Sequence, residues 1–393
     1  MTRPIRVLEL RTVRGTGGGP EKTILAGTAR TDRSAFAITV CYIRDARDPV
    51  FSVDQRARSL GLDYVEIVER HSLDPSIWPR LRRLARDREI DIVHSHDYKT
   101  DLLAWLLARQ DGVLPLATVH GWTGHSRRER WLYYPADKRL LASFARLIAV
   151  SGHVSGELVR AGAEPARVVT VLNAIDPEAF NRDRDRQGAM RKALGLPEGA
   201  LTIGAVGRLE PQKRFDLLID AVATLRAEFP ELRLIIAGDG SLRSALASRV
   251  NARGLRDACQ LLGHRSDIAD LHHAFDLFVQ SSDYEGTPNA VLEAMAMQTP
   301  LVASDVGGTS ELARDGLEGL IVSPGRLEAL TAAIREALTD RSAAHARAAA
   351  ARRRIETELS FATRMRKVEQ IYVDLVENRR RTGTASSVLP ART

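Results

Sequence analysis

Short runs rich in branched apolar residues alternate with helix-length segments along almost the whole chain, and the alternation occurs twice. Strands separated by crossover helices lie parallel in one sheet, so this pattern restricts the chain to doubly wound α/β architecture. The first series runs IRVLEL, FAITVCYI, DYVEIVE, DIVHSH, PLATVHG and RLIAVS, closed by VVTVLNAI at 168–175. The second runs LTIGAVG, RLIIAGDG, CQLLGH, DLFVQSS, PLVASDV and GLIV. A chain of 393 residues is also too long for one ordinary core. The expected fold class is therefore α/β, with two doubly wound, Rossmann-like domains facing a central cleft. Ligands of such sheets bind beyond the carboxyl ends of the strands. The expected boundaries are 1–175 for the first domain and 176–199 for a polar linker containing Pro and Gly. The second domain then spans 200–358, followed by a patterned helix at 359–378 and a disordered tail at 379–393.

Although 44% of residues are hydrophobic, no apolar run approaches the length of about 18 residues that a spanning helix needs. The opening MTRPIRVLEL reads as a strand and lacks the features of a signal peptide. Cys41 and Cys259 each sit in an apolar strand pattern, so core packing in a reducing cytoplasm is expected. A formal net charge of +7 favours anionic partners: phosphorylated ligands, an acidic membrane face or nucleic acid. Nucleic acid is disfavoured, because neither zinc-finger spacing nor an aromatic RNA-binding signature is present. In the basic stretch 78–89, Ile77, Leu81 and Leu84 repeat at helical spacing while Arg80, Arg82, Arg83 and Arg86 fall largely elsewhere. An amphipathic surface helix accounts for that arrangement, with attraction to anionic lipid as the sharper alternative.

Three loops carry candidate chemistry. Residues 285–293 read EGTPNAVLE, with Glu285 and Glu293 eight positions apart at the start of an apolar helix. Thr287 suits an N-cap and Pro288 the first helical position, so amides from Asn289 onward would face an anion. Two carboxylates beside such amides suit a ligand with both hydroxyls and phosphates; a surface glutamate beside a capped helix fits the same residues. After the first strand, GTGGGPEKT lets backbone amides at Gly17, Gly18 and Gly19 approach a ligand before a helix near Pro20. Pro20 replaces the last Gly of a dinucleotide fingerprint, and no G-K-[ST] ends the loop as in a P-loop. After the first strand of the second series, GRLEPQK sets Arg208 and Lys213 five apart, which suits a diphosphate. Two surface cations in a chain with 57 Lys and Arg are the plain alternative.

Taken in order, GGGPEK, VHG at 119–121, AVS at 149–151, VLNAID at 171–176, GRLEPQK at 207–213, AGDG at 237–240 and EGTPNAVLEAMA at 285–296 resemble the family 4 retaining glycosyltransferases of the GT-B fold. The resemblance covers nearly the whole chain. It implies a C-terminal helix returning to the N-terminal domain, and an acceptor side in that domain. It further implies that Arg208 and Lys213 bind the donor diphosphate, that Glu285 contacts the transferred sugar and that Glu293 holds the ribose. Gly18 and Gly19 would approach the phosphates or sugar, His120 would sit at the reaction centre, and Asp239 and Gly240 would shape a loop beside it. Gly286, Thr287 and Asn289 complete the implied donor site, and residues 264–267 would frame the base. Where many members have an aromatic residue and a second Gly after Glu285, this chain has Gly286, Thr287, Pro288 and Asn289. That departure bears on the sugar pocket more than on the reaction type.

The expected function is retaining transfer of a sugar from a nucleoside diphosphate sugar to an acceptor hydroxyl, in glycan, polysaccharide or glycolipid synthesis. No metal cluster of His, Asp or Glu is evident in the sequence, and the resemblance implies a metal-free site without a cofactor. The acceptor is expected to be a sugar or lipid-linked molecule. Arg127, Arg128, Arg130, Trp131, Tyr133 and Tyr134 are candidates to meet it at an anionic membrane surface; packing of Trp131 and Tyr134 beneath a solvated helix is the alternative. A nucleotide-sugar epimerase or a non-catalytic nucleotide-sugar-binding protein remains open on the same fold.

Overall fold

A computed structural model describes residues 3–15, 17–122, 129–183 and 185–382. The chain divides into two compact units, Met1–Asn173 with Phe361–Thr393, and Ala174–Ser360.

The first unit is built on a seven-stranded parallel sheet. Its strands are β1 (Ile5–Val13), β2 (Phe36–Asp45), β3 (Asp63–Glu69), β4 (Ile92–Ser95), β5 (Leu114–Val119), β6 (Arg146–Ala149) and β7 (Val168–Thr170), in the order β3-β2-β1-β4-β5-β6-β7. Alternate residues along a strand face opposite sides, and both sides are apolar because helices cover both. On one side Leu8, Leu10, Val93 and Ala117 meet the helices Ile77–Asp87 and Tyr98–Asp111. On the other, Val7, Ile92, Leu114 and Leu116 pack under the helix Phe361–Thr382 through Met365, Val368, Ile371, Tyr372 and Leu375. The C-terminal helix is thus part of the first unit's core.

The second unit repeats the design with six parallel strands: β8 (Leu201–Val206), β9 (Leu232–Ala237), β10 (Cys259–Gly263), β11 (Leu277–Gln280), β12 (Leu301–Ser304) and β13 (Leu320–Val322). Their order, β10-β9-β8-β11-β12-β13, matches that of the first six strands of the other sheet. In each sheet the winding reverses between the first and fourth strands, β1 and β4 or β8 and β11. The crevice that binds ligands in such folds opens there, at the strands' carboxyl ends. The stretch 176–199, read as a linker, lies in the second unit. Its helix Asp185–Ala193 sits beside Ile268–Ala274, and Arg191 donates to the Ala274 carbonyl and pairs with Asp276. Both cysteines are free and buried. The tail from 383 onward, together with Arg127 and Arg128, lies outside the described residues.

Candidate active site

In the second unit the loops after β8 and β11 are laced together. Asp283 N donates to Gln212 O at 2.9 Å, and Gln212 Nε2 donates to Tyr284 O at 2.9 Å. Ser281 Oγ reaches the carbonyls of Lys213 and Arg214 at 2.9 and 3.1 Å. Arg214, left-handed at φ 49°, is held by both oxygens of Asp283, each at 3.1 Å. This lacing sets the Lys213 ammonium against Glu285 Oε1, which also accepts from Ser282 Oγ at 2.6 Å. Arg208 is exposed and makes no side-chain hydrogen bond or ion pair with another described residue. One cation is therefore compensated and tightly placed, and the other is open to solvent. That pairing of roles suits a diphosphate anchored at one phosphate beside a sugar's hydroxyls.

Beneath Arg208 runs the loop after β9. A Cβ on Gly238 would lie 1.8 Å from the Gly207 carbonyl oxygen, so only glycine lets the two loops touch. Leu209 N donates to Asp239 O, and Gly240 N to the Asp239 carboxylate at 2.8 Å. Asp239 and Gly240 thus shape the loop that carries Arg208. His264 is exposed, and Asp267 is engaged by Arg265.

The helix Asn289–Ala296 begins one residue later than expected. Its N-cap is Pro288, at ψ 108°, which makes no side-chain cap hydrogen bond. The reason is tertiary: the turn before it is held by the loop after β12, where Gly308 N donates to Gly286 O at 2.7 Å. Gly307, at φ 55°, comes so close that a Cβ would sit 1.9 Å from the Glu285 carbonyl. Glu293 is buried in the second turn of the helix. Asn289 keeps its side-chain oxygen buried and without a partner among the described residues. Sequence reasoning did not single out Gly307; its signal was the Gly-Gly pair directly after PLVASDV.

In the first unit, Gly18 is the N-cap of the helix Gly19–Thr28, and its amide donates to Glu21 Oε2 at 2.6 Å. Glu21 is buried, and its other oxygen accepts from Arg11 Nε at 2.5 Å. Burial alone would raise its pKa; the Arg11 charge and hydrogen bond and the Gly18 amide bring it below the usual carboxylate value. The amide of Gly18 is thereby already engaged, and the glycine loop is tied through Arg11 Nη1 to the His96 carbonyl at 2.7 Å.

His120 follows β5 as His96 follows β4, and their rings lie 5.7 Å apart. His96 Nδ1 is 3.4 Å from His120 Nε2, and His96 Nε2 is 2.5 Å from Glu9 Oε2. Glu9 Oε1 accepts from Tyr372 Oη at 2.8 Å and stands 3.1 Å from His94 Nδ1, while His94 Nε2 meets Thr118 Oγ1 at 2.7 Å. Burial alone would raise Glu9, but the electrostatics and hydrogen bonds of His94 and His96 hold it well below the usual range. Burial pushes His96 down to about 4, against the opposing pull of Glu9. His120 is also pushed down, by burial and then by Arg11, His96 and Arg364. The sequence showed no metal-type cluster, yet the fold brings donor atoms of Glu9, His94 and His96 within 4.8 Å of one another. Both Glu9 contacts to these imidazoles are hydrogen bonds within the cluster. The legible signal was His94-Ser95-His96 at a strand end, opposite the charged Glu9 within an apolar strand.

Residues 186–354 match the family described as Glycosyl transferases group 1, and residues 17–179 the one described as Glycosyltransferase Family 4. The chain is 30% identical over 350 residues to the glycogen synthase of Mycobacterium tuberculosis, covering 84% of this chain and 79% of that one. It is 27% identical over 311 residues to the UDP-Gal:alpha-D-GlcNAc-diphosphoundecaprenol alpha-1,3-galactosyltransferase of Escherichia coli, covering 76% and 79%. Among solved structures, HepE of Anabaena in complex with UDP aligns with a TM-score of 0.82 at 20% identity, over 94% of this chain and 100% of that one.

Proposed function

From the premise that this chain belongs to the group 1, family 4 glycosyltransferases, which move sugar from nucleotide-sugar donors and share the GT-B fold, we propose a retaining transfer in which Arg208 and Lys213 take up the charge of the departing diphosphate. The observation carrying this reading is the Lys213–Glu285 pair, set by interlaced loops at the reversal point of the second sheet. The acceptor oxygen attacks the anomeric carbon on the face from which the diphosphate leaves. The bond to the phosphate oxygen breaks, and the acceptor proton passes to that oxygen. Fixed cations act most strongly where charge develops in the transition state.

Glu285 then orients hydroxyls of the transferred sugar, Glu293 takes the ribose, and Gly286, Thr287 and Asn289 line the phosphate-facing turn. Gly18, Gly19 and His120 serve the donor from the first unit. Two cations compensate the leaving group, so the proposed reaction runs without a divalent metal, and a chelator leaves turnover unchanged.

The acceptor is proposed to be lipid-linked, met at the inner face of the cytoplasmic membrane. Trp131 is 83% exposed, Leu132 is also exposed, and Tyr133 stacks on Tyr98 at 5.4 Å, which places an aromatic patch at the surface of the first unit. No helix among the described residues is long and apolar enough to cross a membrane. Binding of the protein to anionic vesicles at low salt, lost on Trp131→Ser, is the expected result.

The primary test is a panel of UDP-, GDP-, ADP- and dTDP-sugars, scored by thermal stabilisation and by release of free nucleotide. A bound donor at a hundred times its Kd adds about 2.7 kcal/mol. One donor class that both stabilises and is consumed supports transfer. Conversion of the sugar without an acceptor would point to an epimerase, and binding without turnover to a non-catalytic protein. The UDP-sugars come first, since HepE was crystallised with UDP-glucose.

A further inference from the structure

We infer that Glu9, acting through His96, fixes the tautomer of His120, so that His120 meets its sugar ligand as a hydrogen-bond acceptor at Nδ1. The inference rests on the reading that His120 faces the donor or acceptor sugar.

A carboxylate only accepts hydrogen bonds. Three groups converge on Glu9: the Tyr372 hydroxyl, His94 Nδ1 and His96 Nε2. His96 Nε2 must therefore bring the hydrogen to Oε2; at Oε1 the Tyr372 hydroxyl also lies 2.8 Å from His94 Nδ1, so those two groups share the donation. His96 carries its proton on Nε2, which leaves His96 Nδ1 with a lone pair. The nitrogen facing that lone pair is His120 Nε2, so it is the protonated one, and His120 Nδ1 is left as the acceptor. The order of donation runs from His120 to His96 to Glu9.

The sheet builds this line. Glu9 of β1 is in register with His94 of β4, and the Thr118 hydroxyl of β5 donates to the far nitrogen of His94. Steps of two residues along each strand keep His96 and His120 on the same face, beyond the strand ends. The C-terminal helix closes the set from above with Tyr372 and with the buried Arg364, whose charge favours ionised Glu9. Arg11, bonded to the His96 carbonyl, is the charged group beside the imidazoles on the loop side, with Glu21 as its partner. His94 is the remaining titratable neighbour, stacked 4.4 Å from His96. Glu9 and His96 are positioning residues here.

The isosteric change Glu9→Gln gives a specific expectation. Tyr372 and His94 share the donation at the Oε1 position, which retains the amide oxygen and turns the NH2 toward His96 Nε2. His96 must then shift its proton to Nδ1, and His120 must shift its own from Nε2 to Nδ1. Long-range nitrogen–proton NMR on the full chain, with labelled histidine and His120 assigned from the His120→Asn spectrum, reads each tautomer directly. In the wild type His120 is expected to be neutral and protonated on Nε2. In Glu9→Gln it is expected to be protonated on Nδ1, with turnover down tenfold to a hundredfold and the donor KM within twofold. A wild-type His120 protonated on Nδ1, or on both nitrogens at pH 7, overturns the inference, and needs no variant to fold. An unchanged tautomer in folded Glu9→Gln overturns it as well. Normal turnover in His120→Asn would instead sink the reading that His120 faces the sugar, whatever its tautomer.

Discussion

Lys213 and Glu285, 72 positions apart in the chain, form one ion pair at the carboxyl ends of β8 and β11. Each is positioned by the other, so their effects on turnover are not independent. Lys213→Ala and Glu285→Ala are each expected to lower turnover by about 10²-fold or more, the scale for losing a preorganised group facing transition-state charge. The double variant should fall well short of the product of the two losses. Rates of nucleotide release, with circular dichroism to verify folding, check this. Near wild-type turnover in either well-folded single variant removes the assignment.

Gly307→Ala should disturb the donor site without removing a polar group. The new Cβ would press on the Glu285 carbonyl, 1.9 Å away, and φ of 55° is unfavourable to alanine. Left-handed backbone alone costs about 1–2 kcal/mol, and the displaced turn adds to it. Gly316→Ala, at φ 72° but with open space around it, supplies the comparison. Urea unfolding should show the larger loss for Gly307→Ala, and only that variant should weaken donor-induced stabilisation.

His272 predicts an acid-side loss of stability. Burial pushes it down to about 3, aided by Arg182, and its Nε2 is buried without a partner among the described residues. The unfolded chain therefore takes the proton first. The contribution is complete above about pH 6.5 and declines as pH falls toward 3, by about 2 kcal/mol at pH 5. His272→Phe keeps the ring contacts with Phe275 and Phe278 but cannot protonate. Its stability, lower than wild type at pH 7 through loss of the Thr299 hydrogen bond, should fall less steeply between pH 7 and 4. Parallel slopes in urea titrations would contradict this.

A chain ending at Ser360 should lose the fold of the first unit. It lacks the helix that buries Met365, Val368, Ile371, Tyr372 and Leu375 on the sheet. At roughly 1.5–3 kcal/mol for each large apolar side chain, that burial rivals the whole stability of an ordinary domain. Loss of near-ultraviolet dichroism from Tyr and Trp, or aggregation, is the expected result. A cooperative, native-like first unit in the shortened chain would refute it.

The thirteen strands among the described residues follow from alternation within short windows, and local pattern marks each of them. The same holds for the loops bearing Arg208, Lys213, Glu285 and the glycines, since a loop after a strand is a local fact. Local pattern also located His120 after β5. It misjudged the start of the 289–296 helix, because Pro288 stands at the N-cap and a hydrogen bond from Gly308 holds the turn before it. It was silent on Glu9, His94 and His96, which lie 85 and 87 positions apart and read as two ordinary strands. Strand order and register bring them together, and a helix from the far end of the chain supplies Tyr372. Periodicity along a strand is set by backbone geometry and is visible in sequence. Which strand pairs with which, and therefore which polar groups share one buried space, is decided only when the sheet closes and each buried donor must find an acceptor.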